Sequence, residues 1–358
     1  AQDRSGYIWG KPATESNVLR SLGILYDVQG KSVLNQDKLA SLNIEPTDII
    51  AESWIASDDR QYPSFVVLPS GETVPLPTVL ALKGPEILGK KHVVRYGSAM
   101  RTVMKLLDTH HEPLRGSLSI QVHPQEGHSW RPAKPEMWRG KGRVYLGWKQ
   151  DVTPPMIHEA IKTGQLEKFL NAFDLDESMF LVVPGGAVHA IRYDTFLCEW
   201  SKAPAPEDKG TISDATVGLY DQTDGKRPRP GKEDWAGALD IFLQAKSFSK
   251  QSDFFVKPQK ILDEKGTSID RIFSTPDVIV EEMIFNHPIK IPTASFGFPL
   301  YVQDGEIDVC VDGRYTDRLQ RGDSCLLPAY LKEVELKPSS SSTNAKIYRW
   351  YPPYGMEV

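Results

Sequence analysis

The sequence has few cysteines and no long apolar run. Its 358 residues include only Cys198, Cys310 and Cys325, an odd number without the paired spacing of a disulfide framework or a zinc knuckle. No apolar run approaches the roughly 18 to 20 residues that span a bilayer. No apolar segment typical of a signal peptide stands near the start. Together these absences predict a cytoplasmic protein of the reducing cytosol, without a membrane partner.

A strong charge of either sign is also missing. The formal net charge is -5 at pH 7, so nothing indicates a nucleic acid or an anionic membrane surface as a partner. Apolar residues make up 40% of the chain and charged residues 25%, which is ordinary for a globular protein that forms its own core. The length fits two domains better than one.

Helical periodicity is scarce, and short strand-like segments dominate instead. They are rich in β-branched and aromatic residues and are bounded by Gly or Pro. These segments are 64–69, 117–124, 142–148, 179–184, 189–200, 277–285, 299–313, 323–329 and 345–353. Only 154–174, which Gly164 interrupts, and 232–245 have apolar residues at helical spacing. The pattern predicts a mainly β protein with two similar halves, as in β-sandwiches and jelly rolls.

A proline-rich basic segment separates the two strand-rich halves. Residues 224–232 contain Pro228 and Pro230, which cannot donate hydrogen bonds inside a strand. We therefore predict a loop here that leads into the helix 232–245, with one domain over 1–231 and a second, smaller one over 232–358. The serine-rich segment 338–343 is predicted to be a loop between strands.

One predicted strand has an entirely polar face. In "LSIQVHP", residues 118–124, side chains alternate across the sheet, so that Ser119, Gln121 and His123 share a face. Burying such a face is costly unless its groups find partners. A metal ion is one such partner, and an exposed position on an outer sheet is the other explanation. This strand alone leaves both open.

Two further segments add candidate metal ligands. Glu136 lies in "KPEMW", and His189 follows a Pro-Gly-Gly turn at the start of a predicted strand. Two imidazoles, a carboxylate and an amide oxygen form a nitrogen and oxygen site that suits zinc or a similar divalent ion. The other histidines have no comparable context and are expected to be structural or exposed; they are His92, His110, His111, His128, His158 and His287.

At these residues the sequence resembles the type I phosphomannose isomerases (mannose-6-phosphate isomerases), a zinc enzyme family built on cupin jelly rolls. Six motifs carry the resemblance in family order: "WG" at 9–10, "AESWIAS" at 51–57, "MKLLD" at 104–108, "LSIQVHP" at 118–124, "KPEM" at 134–137 and "PGGAVHAI" at 184–191. The short spacing between Gln121 and Glu136 resembles the bacterial branch. "GDSCLLPA" extends the likeness into the second cupin domain. The resemblance implies two cupin-type jelly-roll domains with a few helices.

The resemblance also implies roles for individual residues. It implies one zinc ion per chain, bound by Gln121, His123, Glu136 and His189. Ser119 and Lys134 match residues that contact substrate, and Glu199 in "FLCEW" matches a carboxylate near the sugar. Trp54 in "ESWIAS" is expected to be a packing residue.

One departure from the family pattern concerns an arginine held to be important for catalysis. In "SDATVGLYD", residues 213–221, Gly218 stands where the family has that arginine, and the link from Glu199 to Ser213 is several residues longer than in the family. An isomerase would need another cation, for which Arg192, Lys202 and Lys209 are candidates. Lys209 is expected first as a catalytic residue, because its loop begins just after Glu199, and Arg192 is a candidate substrate-binding residue.

The expected function is therefore aldose–ketose isomerisation between mannose 6-phosphate and fructose 6-phosphate through a cis-enediol, with Lys134, Glu199 and Lys209 as catalytic residues. One alternative is a weak or silent homologue that binds a sugar phosphate. The other is a metal cupin of different chemistry, such as a dioxygenase. Against the latter, cupin oxygenases usually show His-x-His where this chain has Gln121-Val122-His123.

Overall fold

The computed structural model describes residues 9–68, 70–127, 132–203, 216–220, 254–293, 296–339 and 344–353. These residues form mainly strands, numbered here in chain order: β1 Lys11–Pro12, β2 Leu25–Val28, β3 Lys31–Leu34, β4 Ile49–Ile50, β5 Glu52–Ile55, β6 Phe65–Val67, β7 Thr73–Pro75, β8 Thr102–Asp108, β9 Ile120–Val122, β10 Glu136–Trp148, β11 Leu170–Leu175, β12 Phe180–Val183, β13 His189–Ile191, β14 Phe196–Lys202, β15 Val217–Tyr220, β16 Phe255–Val256, β17 Gln259–Glu264, β18 Thr267–Ser274, β19 Ile279–Phe285, β20 Ile289–Pro292, β21 Phe298–Asp304, β22 Glu306–Val311, β23 Arg314–Gln320, β24 Ser324–Leu327, β25 Glu333–Pro338 and β26 Ala345–Tyr351.

The helices of the described residues are short and lie mostly in the first third of the chain. The α-helices are α1 Asn17–Ser21, α2 Gln36–Ser41, α3 Leu76–Ile87, α4 Lys90–Tyr96, α5 Pro113–Gly116 and α6 Pro154–Lys162. Side chains cap the first two, because Ser16 and Asn35 each accept a hydrogen bond from a backbone N–H of the first turn. Within the described part of the chain, no helix is long and apolar enough to cross a membrane.

Strand β10 connects two walls of the first sheet. Its first half pairs with β14 and β12, and its second half pairs with β13 and β11. The order β15-β9-β13-β10-β14-β8-β5 runs through it. Gly142 has a φ of 134°, and a Cβ there would lie 2.4 Å from Thr195 Oγ1. Only glycine therefore fits where the strand passes from one wall to the other.

Alternation along these strands separates an apolar outer face from an inner face. Met137 and Trp200 point outward into a cluster that also contains Phe273, Tyr348 and Trp350 from the second half of the chain. The inner face carries a second apolar cluster that includes Trp138, Val144, Leu146, Val183 and Ile191. The polar side chains of the candidate site lie on this inner face.

The second half is a β-sandwich. A six-stranded sheet of order β17-β18-β19-β26-β21-β24 faces a four-stranded sheet of order β20-β25-β22-β23. Between them lies an apolar core that includes Met283, Phe298, Leu300, Leu336 and Ile347. The mainly β fold class predicted from the sequence is confirmed.

Three predicted elements differ from the structure. Segment 189–200 is two strands, because a turn at Tyr193 and Asp194, with φ of 54° at Asp194, separates β13 from β14. Segment 299–313 is likewise two strands, β21 and β22, around Gly305, whose φ is 80°. After Gly164 the predicted helix gives way to a 3-10 turn, Leu166–Phe169, and then to β11. There the open edge of β10 offers backbone partners that outweigh the helical spacing.

Several predictions lie outside the described residues. These are the loop 224–232, the helix 232–245 and the domain boundary between 231 and 232, and most of the loop 338–343. Pro338 itself ends β25.

Candidate metal and substrate site

Three neighbouring strands bring the predicted ligands together. His189 opens β13 and pairs directly with Gln121 of β9, while His123 follows β9 and Glu136 opens β10. His123 and Glu136 are 1% exposed and His189 is not exposed at all. The polar face of the strand around Gln121 therefore points inward, and the exposed outer position considered from the sequence is wrong.

The donor atoms of these side chains converge on Glu136. His123 Nε2 lies 2.9 Å from Glu136 Oε1, and His189 Nε2 lies 3.7 Å from Oε2. The Gln121 amide lies 3.2 Å from His189 Nε2. The nitrogen and carboxylate atoms of His123, Glu136 and His189 all lie within 4.8 Å of one another, so the group could hold a metal ion.

Backbone and side-chain hydrogen bonds orient this group. His189 Nδ1 donates to the Ala187 carbonyl at 2.9 Å, which leaves Nε2 with its lone pair toward Glu136. Trp138 Nε1 donates to Glu136 Oε2 at 3.1 Å. Glu136 Oε1 is buried and accepts no hydrogen bond of good geometry, although Lys134 Nζ lies 2.6 Å away. A buried carboxylate oxygen with unused acceptor capacity beside two imidazoles is a donor set that fits a divalent ion.

The protonation states also suit metal binding. Burial, reinforced by the Lys134 ammonium and opposed by Glu136, lowers the pKa of His123 to about 4. Burial likewise lowers the pKa of His189. Burial alone would raise the pKa of Glu136, but Lys134 and the two imidazoles outweigh it and hold that pKa well below its usual range. At neutral pH the site thus offers two neutral imidazoles and one carboxylate.

The two loops that carry the histidines are in close contact. Gly186 N donates to the His123 carbonyl at 2.7 Å. A Cβ on Gly185 would lie 2.3 Å from the Pro124 carbonyl oxygen. The Pro-Gly-Gly turn therefore lacks side chains because the backbone of the other ligand-bearing loop lies against it.

A second polar group lies on the same inner face and joins the predicted Glu199 to Lys105, which the sequence-based site lacked. Lys105 of β8 stands opposite Glu199 of β14, with Nζ 3.5 Å from Glu199 Oε1, and both are almost fully buried. Ser201 donates to the same carboxylate oxygen. Lys105 Nζ also lies 4.1 Å from the centre of the Trp54 ring.

Lys105 is held in its charged form by its neighbours. Burial alone would lower its pKa, but Glu199, Glu52 and Glu136 outweigh burial and raise it. Ser201, which donates to Glu199, stands opposite Glu136 across the sheet, so the lysine–glutamate pair and the candidate metal group lie on the same inner face. The alternation in "MKLLD", which puts Lys105 between outward-facing Met104 and Leu106, is the sequence signal that could have identified it.

The remaining predicted residues divide between the site and other places. Ser119 Oγ lies 3.5 Å from Gln121 Oε1, and Lys134 Nζ lies 3.3 Å from His123 Nε2, so both adjoin the metal group. Arg192 instead lies over the Tyr145 ring, with its guanidinium carbon 4.3 Å from the ring centre. Tyr145 packs on the outer side of β10, so the structure does not bring Arg192 into the site.

The structure shows where Gly218 and Lys202 lie relative to the candidate ligands. Gly218 of β15 pairs with Gln121, so the position that lacks the arginine does adjoin a candidate ligand. Lys202 binds Glu126 and Asp277 rather than facing the site. Lys209 lies outside the described residues. Among the described cations, Lys134 lies beside the candidate ligands, and Lys105 lies on the same inner face beside Glu199.

A second histidine group is less suited to a metal. His110, His111 and Glu112 adjoin in the loop after β8. Glu112 N donates to His110 Nδ1 at 3.1 Å, so neutral His110 carries its proton on Nε2 and has no free lone pair. His123, Glu136 and His189 are therefore the better candidate.

Comparison with known proteins supports a shared fold. No protein-family model and no curated protein sequence matches the chain. Mannose 6-phosphate isomerase from Bacillus subtilis superposes with a TM-score of 0.67 at 18% identity over 96% of both chains. A variant of phosphomannose isomerase from Salmonella typhimurium gives 0.64 at 14% identity over 98% of both chains. At these identities the similarity establishes the fold, and function has to be argued from the site.

Proposed function

We propose that the protein is a metal-dependent aldose–ketose isomerase that interconverts mannose 6-phosphate and fructose 6-phosphate. The observation that carries the proposal is the inner face that holds both His123, Glu136 and His189 and the Lys105–Glu199 pair. The two groups are linked by Ser201, which stands opposite Glu136 across the sheet and donates to Glu199. The fold shared with mannose 6-phosphate isomerases supports it. The proposed metal is zinc, one ion per chain, with Gln121, His123, Glu136 and His189 as ligands, a set that fits its preference for nitrogen and oxygen donors.

The chain's own residues account for the other requirements of the reaction. A divalent ion supplies Lewis acidity toward the sugar oxygens when bound. Glu199 is the proposed base, because its carboxylate is held between Lys105 and Ser201. It takes the proton from C2 of the aldose and returns it to C1, while the O2 hydroxyl proton moves to O1. Atoms and electrons therefore balance without a redox partner.

The two buried lysines suit the negative charge of the substrate. An enediolate and a phosphate dianion share one small cavity in this reaction, and both need cations where water is excluded. Lys105 lies beside the proposed base, and Lys134 lies beside the metal ligands. We assign Lys105 to the developing enediolate and Lys134, with Ser119, to substrate binding.

The second candidate function is a sugar-phosphate binder without turnover. It is favoured by Gly218, which offers no side chain beside Gln121 where the family resemblance implies an arginine. An arginine fork binds phosphate in a bidentate manner that a lysine does not reproduce.

A coupled assay separates the candidates. An isomerase converts mannose 6-phosphate to fructose 6-phosphate, loses this activity on treatment with a chelator, and regains it on addition of zinc. Calorimetric binding of fructose 6-phosphate without turnover would instead identify a binder. Absence of both binding and turnover in the metal-loaded protein would reject both functions.

A further inference from the structure

Lys202 connects three segments that meet at the edge of the site. It ends β14, and its side chain is bound both to Glu126 and, at 2.7 Å, to Asp277. Its backbone N–H donates to the Pro135 carbonyl at 3.2 Å. The side chain is only 10% exposed, so its ammonium depends on these carboxylates for solvation that water does not supply.

Two of these three segments carry candidate metal ligands. Glu126 follows His123 by three residues, and Pro135 immediately precedes Glu136. Ser201, the neighbour of Lys202 in the chain, pairs with Glu136 across the sheet. Lys202 thus holds the segment after one ligand and the segment before another.

The third segment is a hydrogen-bonded turn in the β-sandwich of the second half. Asp277 lies in a turn where Thr275 Oγ1 accepts hydrogen bonds from the backbone N–H groups of Asp277 and Val278 at 3.2 and 3.0 Å. Strand β19, in the centre of the six-stranded sheet, begins two residues later. A contact to this turn therefore fixes the ligand-bearing segments against the six-stranded sheet.

We infer that Lys202 is a positioning residue, which fixes segment 123–127 against segment 134–136 and against the β-sandwich of the second half. It sets the separation of His123 and Glu136 without touching metal or substrate. The inference rests on the proposed function for the chemistry that this geometry serves. The contact with Glu126, which is 71% exposed, contributes local order and little global stability. The contact with Asp277, which is 20% exposed, also contributes to global stability.

Hydrogen exchange tests the inference in the full-length protein treated with a chelator. In Lys202→Met, amides of 120–127 and 136–138 should exchange about tenfold faster than in the parent protein, since local opening is less costly. The melting temperature should fall as well, because Lys202→Met leaves the largely buried Asp277 without its cation. The double variant with Asp277→Asn should recover most of the melting temperature while exchange in these two segments stays fast. Lys202→Arg, which keeps the charge, should restore slow exchange.

A matched control breaks an exposed lysine–aspartate ion pair elsewhere. Lys260 binds Asp270 at 3.0 Å on β17 and β18, far from the ligands in sequence. Lys260→Met should leave exchange in 120–127 and 136–138 unchanged. Unchanged exchange there in Lys202→Met as well, or a return of exchange in 120–127 and 136–138 to the parent rate in the double variant Lys202→Met with Asp277→Asn, would overturn the inference.

Zinc affinity, measured by competition with a chromophoric chelator, adds a second readout. Lys202→Met should weaken zinc binding about tenfold, as removal of outer-shell partners does. Lys202→Arg should bind nearly as well as the parent. If the parent itself binds no zinc, the proposed function fails, and the exchange experiment still decides whether Lys202 positions these segments.

Discussion

Glu136 is the residue on which the charges of the site converge. Its carboxylate lies within 4 Å of His123, Lys134 and His189 and accepts a hydrogen bond from Trp138. Each of these side chains, taken alone, could have a purely structural role in a protein core. Burial lowers the pKa of both imidazoles and keeps them neutral, while Lys134 is the main cause that holds the pKa of Glu136 low against burial and keeps the carboxylate charged. Two neutral imidazoles and a charged carboxylate are the state that a divalent ion requires.

Removal of one proposed ligand should strongly weaken metal binding without unfolding the chain. His189→Ala and Glu136→Ala should each lower zinc affinity by at least about 100-fold, because each removes a proposed ligand rather than an outer-shell partner. The apolar clusters on both faces of the sheet do not depend on these side chains. Metal analysis together with circular dichroism checks this.

The control for these variants is His158→Ala, which alters an exposed histidine of α6. It should keep the metal content of the parent. Loss of soluble protein in both site variants, with unchanged metal content in the remainder, would show that His189 and Glu136 are structural.

Lys105 should matter for turnover and not for metal content. Lys105→Met should lower kcat by about 10²- to 10³-fold, the range for loss of a cation or donor that stabilises developing charge. Stopped assays with mannose 6-phosphate and metal analysis of the same sample measure both effects.

Stability needs a separate control, because Lys105→Met leaves the buried Glu199 carboxylate without its cation, at a cost of about 3–5 kcal/mol. The double variant Lys105→Met with Glu199→Gln should recover most of that stability and none of the activity. Parent-like kcat in a folded Lys105→Met protein would remove Lys105 from the mechanism.

At the scale of elements, the position of the ligands depends on loops that fit closely rather than on the strands alone. The 184–187 turn and the 123–125 segment are in backbone contact at both Gly185 and Gly186. A change in either loop therefore moves a histidine, although no ligand has been altered.

Gly185→Ala should weaken metal binding and lower stability together. The new Cβ would lie 2.3 Å from the Pro124 oxygen, and such overpacking typically costs about 1–3 kcal/mol. Urea unfolding and a zinc titration measure the two effects. The control is Gly30→Ala, at a turn where a Cβ meets open space but φ is +78°. It should cost stability through backbone strain and leave zinc affinity unchanged, and equal zinc affinities in all three proteins would contradict the loop argument.

Asp58 gives the loop after β5 a pH dependence. Its Oδ2 accepts a hydrogen bond from Met100 N at 2.7 Å, and burial raises its pKa to about 6. A carboxyl group whose pKa is raised on folding binds more protons in the native state, so stability falls as pH rises from about 4 to about 6. The fall amounts to roughly 3 kcal/mol for this group.

Asp58→Asn keeps an acceptor for Met100 N and removes the titration. Between pH 4 and 6 the free energy of unfolding of the parent, measured with urea, should fall relative to that of Asp58→Asn. Above pH 6 the difference between the two proteins should stay constant. Parallel curves across the whole range would show that Asp58 does not titrate in this window.

At the scale of the whole molecule, the two halves are joined by an apolar cluster and a buried ionic contact. The cluster contains Met137 and Trp200 from the first sheet, and Phe273 and Trp350 from the second half. Beside it, Arg139 of β10 binds Glu282 of β19, which also binds Lys346 at 2.8 Å. Strand β10 therefore contributes to both the candidate site and the junction.

Arg139→Met should destabilise the molecule by about 3–5 kcal/mol, because it removes one partner of a largely buried pair. Calorimetry should show a lower melting temperature, and the double variant with Glu282→Gln should recover part of it. The control Arg318→Met breaks the exposed pair with Asp308 and should cost no more than about 1 kcal/mol. Equal effects of Arg139→Met and Arg318→Met would contradict a coupling role.

The mainly β class and the ligand candidates could be predicted from the amino-acid sequence. Alternating apolar residues, Gly and Pro boundaries and the polar face of 118–124 are local signals, and they survive into the fold because local spacing decides which side chains share a face. The metal group could be proposed for the same reason, since each candidate stands in its own short motif.

Which charged groups meet could not be predicted from local patterns and is seen in the folded molecule. Lys105 and Glu199 are 94 positions apart and face each other across two strands, while Arg192 turns to the outer side with Tyr145. Lys202 is satisfied by Glu126 and Asp277, one of them in the other half of the chain. Pairing register and side-chain direction after a turn depend on contacts between distant segments, and no local pattern carries that information.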